Sequence, residues 1–243
     1  MRYLAVLLAL CVGVSALAAD YAREKKWADE ILPAVLVGDP VWIEGLKGHK
    51  FLGLYTPAAK ANAKAAVIVV HGIGVHPDWG LISNLRQHLP DHGYSTLSIQ
   101  MPVLAADARG DAYTPTFPDA AERLKRAVAW LKEKGYKKVA IVSHSLGSRM
   151  TYVYLNGAGG KEVAAWVSIG SPGAEDWSRL RLPVLDLHGE HDLPTVLQNA
   201  SKRAKALKHP KSAQIRAAGA DHFFEGQDAA LLQYVRDYLD KTL

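Results

Sequence analysis

The chain has 243 residues, of which 49% are apolar and 22% charged, with a formal net charge of +5. That length suits one domain with a large core, and the ordinary composition excludes a disordered chain and a solenoid. The basic excess is mild and spread along the sequence, which marks a solvated surface and not a nucleic-acid footprint.

The first stretch, Met1–Ala19, stands apart. Arg2 supplies a short positive start, Leu4–Leu17 carries no charge, and Ala16 and Ala18 form an A-x-A cleavage pattern. The expectation is a secretory signal peptide over 1–19, a single mature domain over 20–243, and a periplasmic or secreted location. The apolar stretch is shorter than the roughly 18 residues a membrane span needs, so no integral span is expected after cleavage. Cys11 is the only cysteine and lies inside that stretch. Leu10 precedes it where a lipoprotein signal needs a small residue. The mature chain is therefore expected to lack a thiol nucleophile, a disulfide and a cysteine metal site.

Asp20–Leu32 reads as a helix ended by Pro33. Val35–Glu44 and His49–Tyr55 read as two antiparallel strands joined by Gly45-Leu46-Lys47-Gly48, and Ala58–Lys64 as a surface connection. Ala65–Val70 is a continuous apolar strand running into His71-Gly72-Ile73-Gly74. A helix over Leu81–His92, a strand over Tyr94–Met101, a polar loop over Val103–Pro118 and a helix over Asp119–Lys134 follow. Val139–Val142 is a second continuous apolar run, and it breaks into Ser143-His144-Ser145-Leu146-Gly147 before a helix over Arg149–Leu155. Strands over Val163–Ile169, Leu182–Leu187 and Ser212–Arg216 alternate with a helix over Pro194–Leu207, and Asp228–Leu239 closes the chain as an amphipathic helix.

Strands alternating with helices imply a mostly parallel, doubly wound sheet with antiparallel N-terminal strands. Ligands bind such sheets beyond the carboxyl ends of the strands. Four polar clusters fall at those ends: His71–Gly74, Ser143–Gly147, His188–Asp192 and Asp221-His222. Ser143–Gly147 has the form of a nucleophile elbow, in which the residues two before and two after the serine must be small. Alone, that pattern is weak, since a serine here also caps the following helix. A serine hydroxyl needs a base, a group to orient the base, and donors for the oxyanion. The clusters supply Ser145 as nucleophile, His222 as general base and the Leu146 N–H as one oxyanion donor. Asp186, Glu190 and Asp192 all compete for the acid.

The H-G-I-G turn, the S-H-S-L-G elbow, the L-H-G-E-H-D turn and the A-D-H-F-F turn together resemble the α/β-hydrolase superfamily over nearly the whole mature chain. The stretches H-G-I-G-V-H-P-D-W-G and T-L-S-I-Q-M-P are similar to those of a group of secreted bacterial proteins of undefined activity. The resemblance implies an α/β-hydrolase fold and a Ser145–His222–Asp192 triad, with Asp192 chosen by its H-G-x-x-D setting and Ile73 as the second oxyanion N–H. By the same resemblance, Ser143 is a tolerated small residue in place of the usual glycine.

Six histidines, His71, His76, His144, His188, His191 and His222, fall at or near the strand ends. A metal reading lacks support, since no H-E-x-x-H occurs and His188 and His191 lie on a turn. No cofactor is expected. Ile169 to Leu182 leaves no room for a lid domain, so the pocket should be open, with Trp79, Met101, Tyr113, Trp177 and Phe223 as candidate walls. The expected function is a carboxylesterase acting through an acyl-enzyme on a small-molecule or surface-attached acyl substrate. An amidase, peptidase or thioesterase would use the same triad. A non-catalytic binding protein on the same fold, or an envelope factor using Asp20–Gly48 as a docking arm, are the readings from other classes.

Overall fold

A computed structural model describes residues 19–60, 63 and 65–243. The expected leader, Met1–Ala19, lies outside these residues except for Ala19.

Eight strands form one sheet: β1 (Asp39–Glu44), β2 (Lys50–Thr56), β3 (Ala65–Val70), β4 (Tyr94–Ile99), β5 (Val139–His144), β6 (Ala165–Ile169), β7 (Val184–His191) and β8 (Ala213–Asp221). Their order is β1-β2-β4-β3-β5-β6-β7-β8. β2 runs antiparallel to both β1 and β4, and every pairing from β4 to β8 is parallel. The central strands β3 and β5 are buried at every position, as expected of a sheet covered on both faces.

Among the described residues, six α-helices surround the sheet: α1 (Tyr21–Ile31), α2 (Gly80–His88), α3 (Phe117–Glu133), α4 (Leu146–Leu155), α5 (Pro194–Ala206) and α6 (Asp228–Thr242). Leu124, Val128 and Leu131 of α3 join Met150 and Leu155 of α4 in a core over one face. Leu81, Ile82 and Leu85 of α2 join Leu231, Val235 and Leu239 of α6 in a core over the other. Ala28 of α1 packs on Leu52 and Leu54 of β2 in a small cluster separate from both. Part of Asp20–Gly48, the segment that the envelope-factor reading would use as a docking arm, is thus packed on the domain.

Several boundaries differ from the sequence reading. Leu32–Ala34 forms a 3-10 turn and Gly38 takes φ 81°, so β1 begins only at Asp39 and not at Val35. The expected loop Val103–Pro118 holds a 3-10 helix over Gly110–Thr116. α4 starts at Leu146, directly after the elbow serine, and not at Arg149. β8 extends to Asp221, well past Arg216, and delivers His222 to the rim. Between β6 and β7 the chain forms only a short 3-10 turn over Trp177–Arg179, with no lid domain.

Candidate active site

The carboxyl ends of β3, β5, β7 and β8 lie side by side or one strand apart, so the four polar clusters meet on one rim. β5 ends at His144, and Ser145 turns the chain into α4 with φ 55° and ψ −125°. A positive φ on a residue other than glycine, asparagine or aspartate is uncommon and signals strain held by its surroundings. Part of that hold comes from the Ser145 N–H, which donates to the Ile169 carbonyl at 2.8 Å. Gly147 is required here because a Cβ on it would stand 2.3 Å from the His71 carbonyl oxygen.

The His222 ring faces Ser145, with Nε2 3.0 Å from the serine Oγ. On its other side Nδ1 lies 2.6 Å from Asp192 Oδ1. With Nδ1–H donating to the carboxylate, Nε2 is left as the acceptor for the serine O–H. Gly170 sits behind the imidazole at φ 57°, where a Cβ would come within 3.0 Å of the ring. Burial alone pushes the Asp192 carboxyl up. The His222 ring and the Leu193 and Gly189 N–H donors outweigh it and hold the carboxyl below the usual aspartate value. The rival acids point elsewhere. Asp186 is fully buried against Arg203 and Gln214, and Glu190 pairs at the surface with Arg216 and the Gly219 N–H.

His71 braces the neighbouring turn. Its Nδ1 donates to the Gly72 carbonyl at 2.8 Å, and its Nε2 accepts from the Met101 N–H at 2.9 Å and from Gln100 Nε2 at 3.0 Å. Burial pushes its pKa down to about 3, so it is neutral at ordinary pH. His144 is buried as well, and its pKa is pushed down to about 3 by burial first and by His222 second. Its Nε2 donates to the His222 carbonyl at 2.9 Å.

The chain from His71 continues outward. The Gln100 carbonyl accepts from Arg123 Nη1 at 3.1 Å, and Arg123 grips both carboxylate oxygens of Glu24 on α1 at 2.9 and 3.0 Å. Trp27 of α1 meets His76, in the loop after the glycine turn, edge-on at 5.8 Å. Among the described residues no group of three or more His, Cys, Asp or Glu side chains forms a metal-holding set.

A cavity of about 190 Å³ opens on Ser145 and His222, walled by Gly72, Ile73, Val75, Trp79, His144, Leu193 and Phe223. Trp79 and Phe223, two of the candidate wall residues, line this cavity. Met101, Tyr113 and Trp177 do not. Each is about 1% exposed and belongs to the core under α3 and α4. The physical reason is packing. Tyr113 turns its hydroxyl inward to accept from the Leu104 N–H, and Trp177 packs against Trp166 with ring centroids 4.8 Å apart. Leu193 was missed, although an apolar residue directly after a candidate acid at a strand end is a legible signal. The Glu24–Arg123 pair left no such trace, because its members lie 99 positions apart.

Three solved structures share this fold. A dienelactone hydrolase from Anabaena variabilis is 22% identical, with a TM-score of 0.70 over 84% of this chain and 99% of its own. The chain has the α/β-hydrolase fold. The lidless α/β serine hydrolase XC6422 from Xanthomonas campestris is 17% identical, with a TM-score of 0.64 over 86% and 96% of the two chains. Est1E from Butyrivibrio proteoclasticus is 13% identical, with a TM-score of 0.67 over 84% and 98%. Residues 4–122 match a family model described as a protein of unknown function, DUF3530. No curated protein matches the chain in sequence. In the α/β-hydrolase fold the turn after β5 is the position of the elbow, and Ser145 occupies that turn here.

Proposed function

We propose that the protein is a serine hydrolase of the periplasm or extracellular space, and that its reaction is carboxylester hydrolysis. The observation that carries this reading is the hydrogen-bonded line Ser145 Oγ–His222 Nε2 and His222 Nδ1–Asp192 Oδ1, at 3.0 and 2.6 Å, ending on a serine in a strained elbow. Ser145 attacks the ester carbonyl carbon as His222 takes its proton. The tetrahedral oxyanion is held by the N–H groups of Leu146 and Ile73. Leu146 is the first residue of α4, where a helix leaves its N–H groups without intrahelical partners. His222 returns the proton to the departing alkoxide, and an acyl group remains on Ser145. Water then gives a proton to His222 as its oxygen attacks the acyl carbon, and the acyl–Oγ bond breaks as His222 passes that proton to Ser145 Oγ, releasing the acid and restoring the serine. Asp192 fixes the imidazole tautomer and stabilises the imidazolium.

The esterases and hydrolases among the structural neighbours support the ester reading over an amide or thioester one. The test is labelling of the purified protein with an alkyl fluorophosphonate, followed by peptide mapping. Ser145 should carry the label, and Ser145→Ala should abolish both labelling and ester turnover while leaving the circular dichroism spectrum unchanged. A correctly folded protein without label at Ser145 would sink the proposal and favour a non-catalytic role on this fold.

A further inference from the structure

A second cavity, of about 370 Å³, lies beside the catalytic one, and the two share Trp79 and Phe223 as walls. The two rings meet edge to face with centroids 5.5 Å apart, so the pair is the partition between the cavities. The catalytic cavity, at about 190 Å³, is below the roughly 300–1,000 Å³ typical of sites for drug-sized ligands, while the second falls inside that range. Trp79 is held at the start of α2, where its carbonyl accepts from Ile82 and its N–H donates to the His76 carbonyl. Phe223 is 48% exposed, and its ring also packs edge-on against His222 with centroids 5.0 Å apart.

The chemistry of the walls is one-sided. Ile73, Val75, Leu193 and the two aromatic rings make the catalytic cavity apolar, and the charged side chains on the second are the carboxylates Glu225 and Asp228. Neither set of lining residues includes a lysine or an arginine. An acyl group bearing a carboxylate or a phosphate would lose its hydration and meet no cation in return.

Building on the serine-hydrolase reading, we propose that the substrates are esters of short, uncharged, apolar acyl groups, and that the Trp79–Phe223 partition sets the acyl length. Ser145 and the Ile73 turn both open on the smaller cavity, so the acyl group enters there. A longer chain must cross the partition to reach the second cavity.

The experiment measures two rates on the purified protein: labelling of Ser145 by fluorophosphonates with ethyl to decyl chains, and hydrolysis of p-nitrophenyl esters from acetate to decanoate. For the wild type, both rates should peak at four carbons or fewer and fall at least tenfold by eight. Phe223→Ala and Trp79→Ala should each raise the eight-to-two-carbon ratio at least tenfold. p-Nitrophenyl pentanoate should be turned over at least tenfold faster than the p-nitrophenyl half-ester of glutarate. A wild-type peak at eight carbons or longer, length ratios unchanged in both folded variants, or a preference for the half-ester would each overturn the proposal while the serine reading stood. Absence of any labelling would overturn both.

Discussion

At the scale of single residues, Ser143 shows how much chemistry a small side chain carries. Its hydroxyl accepts from the indole N–H of Trp166 at 2.8 Å and lies 3.0 Å from Ser148 Oγ, which itself donates to the Ser143 carbonyl. Trp166 is fully buried, so its N–H has no access to water. A glycine would satisfy the size limit of the elbow but would strand that donor. Ser143→Ala should therefore destabilise the protein by about 1–3 kcal/mol, the cost of a buried unsatisfied group. In urea titrations the double variant Ser143→Ala/Trp166→Phe should lose less than the sum of the two singles, because it removes the stranded donor as well. Strict additivity would show that the hydrogen bond is not what Ser143 contributes. The sequence made Ser143 legible as small and left its partner hidden, since Trp166 lies on the neighbouring strand.

At the scale of elements, α1 reaches the catalytic rim through a relay of buried groups. Glu24 holds Arg123, Arg123 holds the Gln100 carbonyl, Gln100 holds His71, and His71 holds the Gly72 carbonyl. The Gly72 C=O and the Ile73 N–H belong to one planar trans peptide and point in opposite directions. Fixing the carbonyl therefore fixes the direction of the proposed oxyanion donor. Glu24→Gln weakens the first link and leaves Arg123 with Asp119 at 3.0 Å as its remaining carboxylate. The variant should lose on the order of 3 kcal/mol of stability, as expected when a buried ion pair loses one charge. Its kcat should fall about tenfold with KM little changed, a fraction of the roughly 3–4 kcal/mol that one oxyanion donor supplies. Steady-state kinetics well below the unfolding midpoint make the test, and an unchanged kcat would leave Glu24 a purely structural residue.

At the scale of the whole molecule, two neutral histidines buried beside the site make the fold acid-sensitive. The pKa values of His71 and His144 are pushed from 6.5 down to about 3 in the folded chain. Below about pH 6.5 the unfolded chain binds protons that the folded chain refuses, so stability falls as pH drops through the window from 6.5 to 3. Two such groups should steepen that fall by up to about two protons per pH unit, one from each. Urea unfolding between pH 6 and 4 should show His144→Asn with a slope shallower by about one proton. Equal slopes would mean that His144 does not contribute. The sheet itself was legible because continuous apolar runs such as Ala65–Val70 and Val139–Val142 end abruptly in polar clusters, which is a local pattern. The walls of the site were less so. Trp79 and Phe223 flank the glycine and histidine turns and could be read, whereas Met101, Tyr113 and Trp177 are aromatic or apolar near strand ends for reasons of packing alone. The relay to α1 joins parts of the chain that only the folded sheet brings together.

The small cluster that fastens α1, Ala28 against Leu52 and Leu54, is separate from both cores that cover the sheet. Regions with few buried apolar contacts exchange their amide hydrogens by local opening, at a lower free energy than global unfolding. α1 is such a region, and it carries the outer end of the relay to Gly72. Each opening event should free the direction of the Ile73 amide while β5, β7 and β8 keep Ser145, Asp192 and His222 in place. The protein should therefore pass through a form that is folded by every spectroscopic measure of its sheet, keeps the proposed triad in place, and has lost the set of half the proposed oxyanion site.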